Sequence, residues 1–203
     1  MNSSTRNTAR TAWAALRMVL VMTLATGVLY PLAVTGLAQG LWPHQANGSP
    51  VRAEGRQVGS ELVGQRWNLP GTDRPDPRWF QPRPSHGDHD PEATGSSQLG
   101  PSDPTLTRRV ERTRRAVAAF NQVPASTVPP DAVTGSSSGI DPHISPAYAR
   151  LQVDRVARHQ HLPRERVARL VADHTEGRTA GFLGQPHVNV LRLNLAVRAA
   201  TSG

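Results

Sequence analysis

The 203-residue chain contains no cysteine and no lysine. The first absence excludes disulfides, zinc–thiolate centres and iron–sulfur clusters. The second excludes a P-loop, whose lysine reaches the nucleotide phosphates. All 23 basic residues are therefore arginine, set against 15 acids. Aromatic residues are scarce at 4%, so each large ring is a marker of where the chain has something to pack against. A net charge of +8 suits an anionic partner such as nucleic acid or lipid headgroups. It equally suits arginine dispersed over a solvated surface, and dispersal is the expectation here.

The apolar residues concentrate at the N-terminus. From Met18 to Trp42, MVLVMTLATGVLYPLAVTGLAQGLW, no residue is charged. About 20 such residues suffice to cross a bilayer. Trp13 and Trp42 bracket the run; as a helix they stand about 43 Å apart, near the thickness of a bilayer with its headgroups. Arg6, Arg10 and Arg17 precede the run without a nearby acid. The positive-inside bias then puts residues 1–17 in the cytoplasm, a transmembrane helix at 18–42 with Trp13, Arg17 and Trp42 as interface anchors, and the remainder outside. Pro31 and Gly36 predict kinks. A cleaved signal peptide is the competing reading, with Gly36-Leu37-Ala38 as its small-x-small site, but the apolar run exceeds the usual length of such a segment.

Residues 43–104 hold ten prolines and eight glycines, a density typical of disorder or long ordered loops. Trp67, Trp79 and Phe80 argue for order, and GSELVGQRW (59–67) reads as a short strand. HGDHD (86–90) has the letters of a metal site, but glycine-flanked histidines on a loop are ordinarily only solvated, and no metal is expected. Residues 105–203 turn helical. Asp103-Pro104 and Ser145-Pro146 each place a capping residue before proline at the first helical position. The first helix runs to about Asn121, with Leu106, Val110, Val117 and Phe120 on one face and Arg108, Arg109, Arg112 and Arg115 mostly on the other. The second covers about Pro146 to Gln160. The third starts at Pro163, shows a Val167, Leu170, Val171, His174 stripe and ends at Gly177 as a C′ glycine. VLRLNLAV alternates, which favours a strand and leaves a helix open. The fold class is α+β: one transmembrane helix followed by one small extracytoplasmic domain with long Pro/Gly-rich loops.

Gly135-x-Ser137-x-Gly139, with Asp141 and His143 close behind, has the letters of a nucleophile elbow. An elbow needs a strand before the serine and a helix directly after it. DAVT is a feeble strand, and Pro142 forces Asp141 into extended backbone. Three groups so close along a stiff loop cannot converge as a triad. No paired-carboxylate cleft or carbonyl-lined selectivity filter is present, so no catalytic residue is assigned. The helix pair of 145–174, with Arg164, Arg166 and Arg169 on its second member, could read DNA; a cytoplasmic N-terminus removes it from DNA, and no nucleic acid is expected.

SSSGIDPHISP followed by QVDRVA carries a resemblance instead. Together with GSELVGQ, RPS (83–85), LGPSDP (99–104), HTEGR and VNVLRLNLA, all in the same order, the chain resembles the C subunit of the bacterial Kdp-type potassium-transporting ATPase over nearly its whole length. It departs where Thr94-Gly95-Ser96-Ser97-Gln98 stands for Ser-Gly-Gly-Ser-Asn, and where Ile140 replaces leucine. The resemblance implies an accessory, non-hydrolytic subunit in the bacterial inner membrane, needed for assembly or stability of a high-affinity potassium importer. Its partners would be a channel-like subunit carrying potassium and a P-type ATPase subunit handling ATP, with membrane lipid around the span and no cofactor of its own. The family is also described as raising the pump subunit's affinity for ATP; with the domain outside, that effect must be indirect. The 135–146 loop then reads as a docking surface built from Ser138, Gly139, Asp141, Pro142, His143 and Ser145, pre-ordered by its prolines. Asp141 and His143 bonding only within their own domain is the equal alternative. A membrane-anchored binding module unrelated to transport is the remaining reading.

Overall fold

Proline has no N–H to give and its ring crowds the carbonyl four residues back, so an apolar helix containing Pro31 must adjust just before it. The computed structural model, which describes residues 3–202, shows the adjustment. Helix α1 (Ser3–Leu24) widens into a π turn at Ala25–Leu29 and continues as α2 (Tyr30–Leu41). The Tyr30 N–H donates to the Ala25 carbonyl five residues back, which skips the carbonyl geometry that proline disturbs. Gly36 lies inside α2 without a break. The stretch from Arg6 to Leu41 is long and apolar enough to cross a membrane. A short helix, α3 (Pro43–Ala46), follows. The chain divides into two units between Ser49 and Pro50.

The second unit opens with a hairpin of β1 (Pro50–Ala53) and β2 (Arg56–Ser60). Its two-residue turn, Glu54-Gly55, has positive φ at both positions, the geometry that matches strand twist. Residues 61–103 follow as ordered loop. Then come α4 (Pro104–Asn121), β3 (His143–Ile144), α5 (Pro146–Gln160), α6 (Arg164–Asp173), β4 (Thr175–Glu176), β5 (His187–Asn189) and α7 (Val190–Ser202). The three short strands form an antiparallel sheet in the order β3-β5-β4.

Capping sets the helix starts. Asp103 accepts from the Thr105 N–H at 2.7 Å and Ser145 from the Tyr148 N–H at 3.0 Å, each with proline next, as the sequence predicts. The core joins Val153 and Val156 of α5, Val167 and Val171 of α6, Val188 of β5, and Leu193 and Val197 of α7. Phe80 reaches that core from the proline-rich segment with no exposed surface.

That segment is ordered by side chains. The Asn194 amide accepts from the Phe80 N–H at 2.8 Å and donates to the Phe80 carbonyl at 3.0 Å. Gln152 does the same for Gln81, at 2.7 and 3.1 Å. Arg155, 1% exposed, donates to the carbonyls of Pro77 and Trp79 and to the side chains of Asn121 and Gln152. Its guanidinium lies 4.4 Å from the Phe120 ring centroid. Burial pulls the Arg155 pKa down to about 10, which leaves it charged and its fork of donors intact.

Four expectations need correction. VLRLNLAV lies within helix α7, not a strand; Val190, Leu191, Leu193, Asn194 and Val197 are buried, which is helical spacing with a polar residue on the inner face. Helix α6 ends at Asp173 with His174 as its cap, because Thr175 pairs with Val188; Gly177 therefore caps nothing. The strand proposed at 59–67 is confined to its first two residues, the end of β2, because the Gly64 N–H goes to the Ile140 carbonyl instead of a ladder. Finally, arginine is not evenly dispersed: residues 108–115, RRVERTRR, hold five arginines and one acid.

Candidate functional site

The GSSSGIDPHISP loop is held at its start and its middle by one side chain. Arg83 donates to Asp141 at 3.1 Å and to the carbonyls of Thr134 and Gly135 at 3.4 and 3.3 Å. Two residues on, the Ser85 hydroxyl donates to the Gly139 carbonyl at 2.6 Å while accepting from the His89 N–H at 2.9 Å. The Gly95 N–H reaches the Ser138 carbonyl and the Val190 N–H the Pro142 carbonyl. The RPS triplet is thus the cradle of the loop.

Within the loop the hydroxyls form local turns. Ser136 accepts from the Gly139 N–H and Ser138 from the Ile140 N–H. Gly139 has φ 75°, and a Cβ there would meet the Gly95 carbonyl at 2.8 Å, so both conformation and space require glycine. Asp141 accepts from the His143 N–H at 2.9 Å, and its other neighbours are the His143 ring and Arg83. Burial raises the Asp141 pKa, but the hydrogen bonds from His143 and the nearby Arg83 guanidinium outweigh it and hold the carboxyl below its ordinary value. The His143 ring packs edge-on to His187 at 4.4 Å. Ser145 caps α5 and donates its hydroxyl to Asp131 at 2.8 Å.

The six sequence-derived loop residues are therefore contiguous but unequal. Gly139 and Pro142 are buried and Ser145 is half-buried in a cap. Ser138 is exposed; Asp141 and His143 are half-buried. Among the described residues no hydrogen bond joins Ser137 to a histidine or a carboxylate, and the His143 ring, beside Asp141, packs against His187. Among the described residues no group of His, Cys, Asp or Glu could hold a metal ion. His89, from HGDHD, is 9% exposed, with a buried Nδ1 that finds no partner. Burial lowers its pKa, assisted by Arg66 and opposed by Asp88. His89 lines a cavity of about 450 Å³ together with Arg66, Arg83, Asp88, Phe120 and Tyr148. Sequence reasoning missed Arg83 as the clamp and His89 as a buried residue; the signal for the first was a motif quoted only for its resemblance. In the other unit, Trp13 and Trp42 are each 59% exposed, and Arg17 is exposed as well.

Comparison with known proteins gives this geometry a family. Residues 12–199 match the family model described as KdpC: K+-transporting ATPase, c chain. The potassium-transporting ATPase KdpC subunit of Streptomyces avermitilis is 48% identical over 98% of this chain and 97% of its own. That of Streptomyces coelicolor is 48% identical over 97% and 96%. That of Sorangium cellulosum is 50% identical over 92% and 96%. With the cradle, the loop and the apolar run 18–42 all inside the matched span, the chain belongs to the KdpC family, membrane-associated subunits of the potassium-transporting ATPase.

Proposed function

We propose that this chain is the accessory, non-hydrolytic subunit of the importer, retained by its N-terminal helix and holding its domain outside the cytoplasm. Its partners are a channel-like subunit that carries potassium and a P-type ATPase subunit that hydrolyses ATP. The observation that carries the reading is the loop itself. Its would-be nucleophile Ser137 makes no hydrogen bond to His143, while Asp141 and Ser145 are spent on fixing the backbone of a rigid surface. Such pre-ordering reduces the entropy lost when a partner docks. The exposed rim around Ser138, with the half-open faces of Asp141 and His143, is the part offered to the partner.

Orientation follows from Arg6, Arg10 and Arg17 flanking the apolar run with no acid before Pro50. Any effect on ATP affinity then has to pass through the helix or the channel-like subunit, which makes it allosteric. Mild-detergent purification of the tagged chain at native expression tests the core of this reading. Recovery with a channel-like protein and a P-type ATPase supports it; recovery alone or with unrelated proteins favours a membrane-anchored binding module. Protease added to sealed vesicles of known orientation tests the topology separately.

A further inference from the structure

The domain from Pro50 onward holds twenty arginines and fifteen acids, an excess of five, and the eight residues 108–115 of α4 contribute four of that excess. At 100° per residue, Arg108, Arg112 and Arg115 share one narrow strip of the helix, with Arg109 at its edge. All four are exposed. The opposite face is spent on packing, with Ala118 in the core and Val110 and Val117 against it.

Among the described residues these arginines meet no carboxylate at ion-pair distance, Glu111 beside the strip included. Arg66, Arg78, Arg83, Arg164, Arg192 and Arg198 each face a carboxylate. Among the described residues no arginine of α4 does. Arg109 reaches only the His86 ring, at 3.4 Å, and Arg108 only the Thr105 hydroxyl, at 3.5 Å. Arg112 repels Arg108 and Arg115 at helical spacings of four and three, and Glu111, three residues from Arg108 and four from Arg115, offsets only part of that charge, so the net positive strip fits an external anion. Guanidinium presents a planar fork that matches phosphate oxygens. A strip about 10 Å long matches a plane of many phosphates better than a single one. The chain also brings such a plane with it, because only eight residues link Leu41 of the apolar helix to Pro50.

We propose that α4 is an electrostatic docking strip for the phosphate headgroups of anionic phospholipids. This rests on the membrane association of the family and not on the proposed partner subunits or orientation. The absence of cysteine makes a single-label test direct. Ala119 is exposed at the C-terminal end of the same strip, and Ala119→Cys with a fluorophore reports contact with a headgroup-labelled quencher lipid. The full chain is placed in nanodiscs of phosphatidylcholine alone or with phosphatidylglycerol.

Quenching is expected to rise with phosphatidylglycerol. It should fall when salt goes from about 0.1 M to about 1 M, as the screening length shrinks from about 10 Å to about 3 Å. In the same discs Arg108→Gln, Arg112→Gln and Arg115→Gln should each weaken the phosphatidylglycerol-dependent contact roughly five-fold. Equal quenching in both lipids, or a phosphatidylglycerol response that salt does not touch, overturns the proposal. So does a label that stays clear of anionic lipid and is shielded only when the other subunits are added, which would assign the strip to a protein.

Discussion

Asn194 and Phe80, 114 residues apart, exchange two hydrogen bonds: the amide side chain takes the Phe80 N–H and gives to the Phe80 carbonyl. The side chain does what a neighbouring strand would do. Asn194→Leu keeps the approximate size but leaves both Phe80 groups buried without partners. At about 1–3 kcal/mol for each orphaned group, the domain should lose roughly 2–6 kcal/mol, read as a lowered denaturant midpoint of the full chain in micelles. A midpoint within error of wild type would mean that water or a local shift satisfies Phe80.

Arg155 reaches the same segment from inside the core, donating to the Pro77 and Trp79 carbonyls. Arg155→Met removes the donors, strands the Pro77 carbonyl and the Asn121 amide oxygen, and leaves the Trp79 carbonyl only the Gln81 amide, so a loss of about 3 kcal/mol or more is expected. Arg155→Lys should fail to restore stability, because an ammonium cannot span the positions of a guanidinium fork. Rescue by lysine, measured by the same denaturation, would show that charge alone was needed.

His89 sets a pH dependence. Burial holds its folded pKa below the ordinary histidine value, so the unfolded chain binds the proton more readily. The stability contribution is therefore complete above about pH 6.5 and is lost as pH falls toward the folded pKa. Unfolding midpoints collected across that window should decline with acid, and His89→Gln should flatten the decline. A wild-type profile that stays flat down to about pH 5 would mean that the histidine takes up its proton without cost.

The proposed docking loop allows shape and chemistry to be separated. Gly139→Ala forces a side chain into left-handed backbone and against the Gly95 carbonyl, so it should cost about 1–3 kcal/mol and weaken subunit recovery as a consequence. Ser138→Trp adds bulk at the exposed rim and should leave the unfolding midpoint near wild type while reducing co-purification of the other subunits. Normal recovery of the Ser138→Trp complex would move the docking surface elsewhere on the domain.

Local chemistry made much of this readable. Asp103-Pro104 and Ser145-Pro146 announce helix starts because capping and the missing proline N–H act within a few residues, and both helices begin there. Helix α7 was hidden for the opposite reason. Asn194 counts as a polar letter and breaks the apolar stripe, yet it is fully buried because its partner lies 114 residues away. His89 looked like a solvated loop histidine since nothing nearby in sequence covers it. Gly64, whose Cβ would lie 2.7 Å from the His89 ring and 2.8 Å from the Asp141 carbonyl, brings the long loop and the docking loop together. Arg83 as a clamp was equally non-local, reaching Asp141 across 58 residues.

The reciprocal amide pair also fixes an order of events. During synthesis Phe80 emerges 114 residues before Asn194. Until helix α7 follows, the proline-rich segment has no surrogate strand to settle against, and its backbone groups remain with water. The domain therefore cannot assemble progressively from its N-terminal side, as chains of separate domains do. It must wait, largely unstructured in the middle, for the final helix to arrive and latch it. A ribosome-stalled or prematurely ended chain would carry the membrane helix, the cradle and the loop, and still lack the fold.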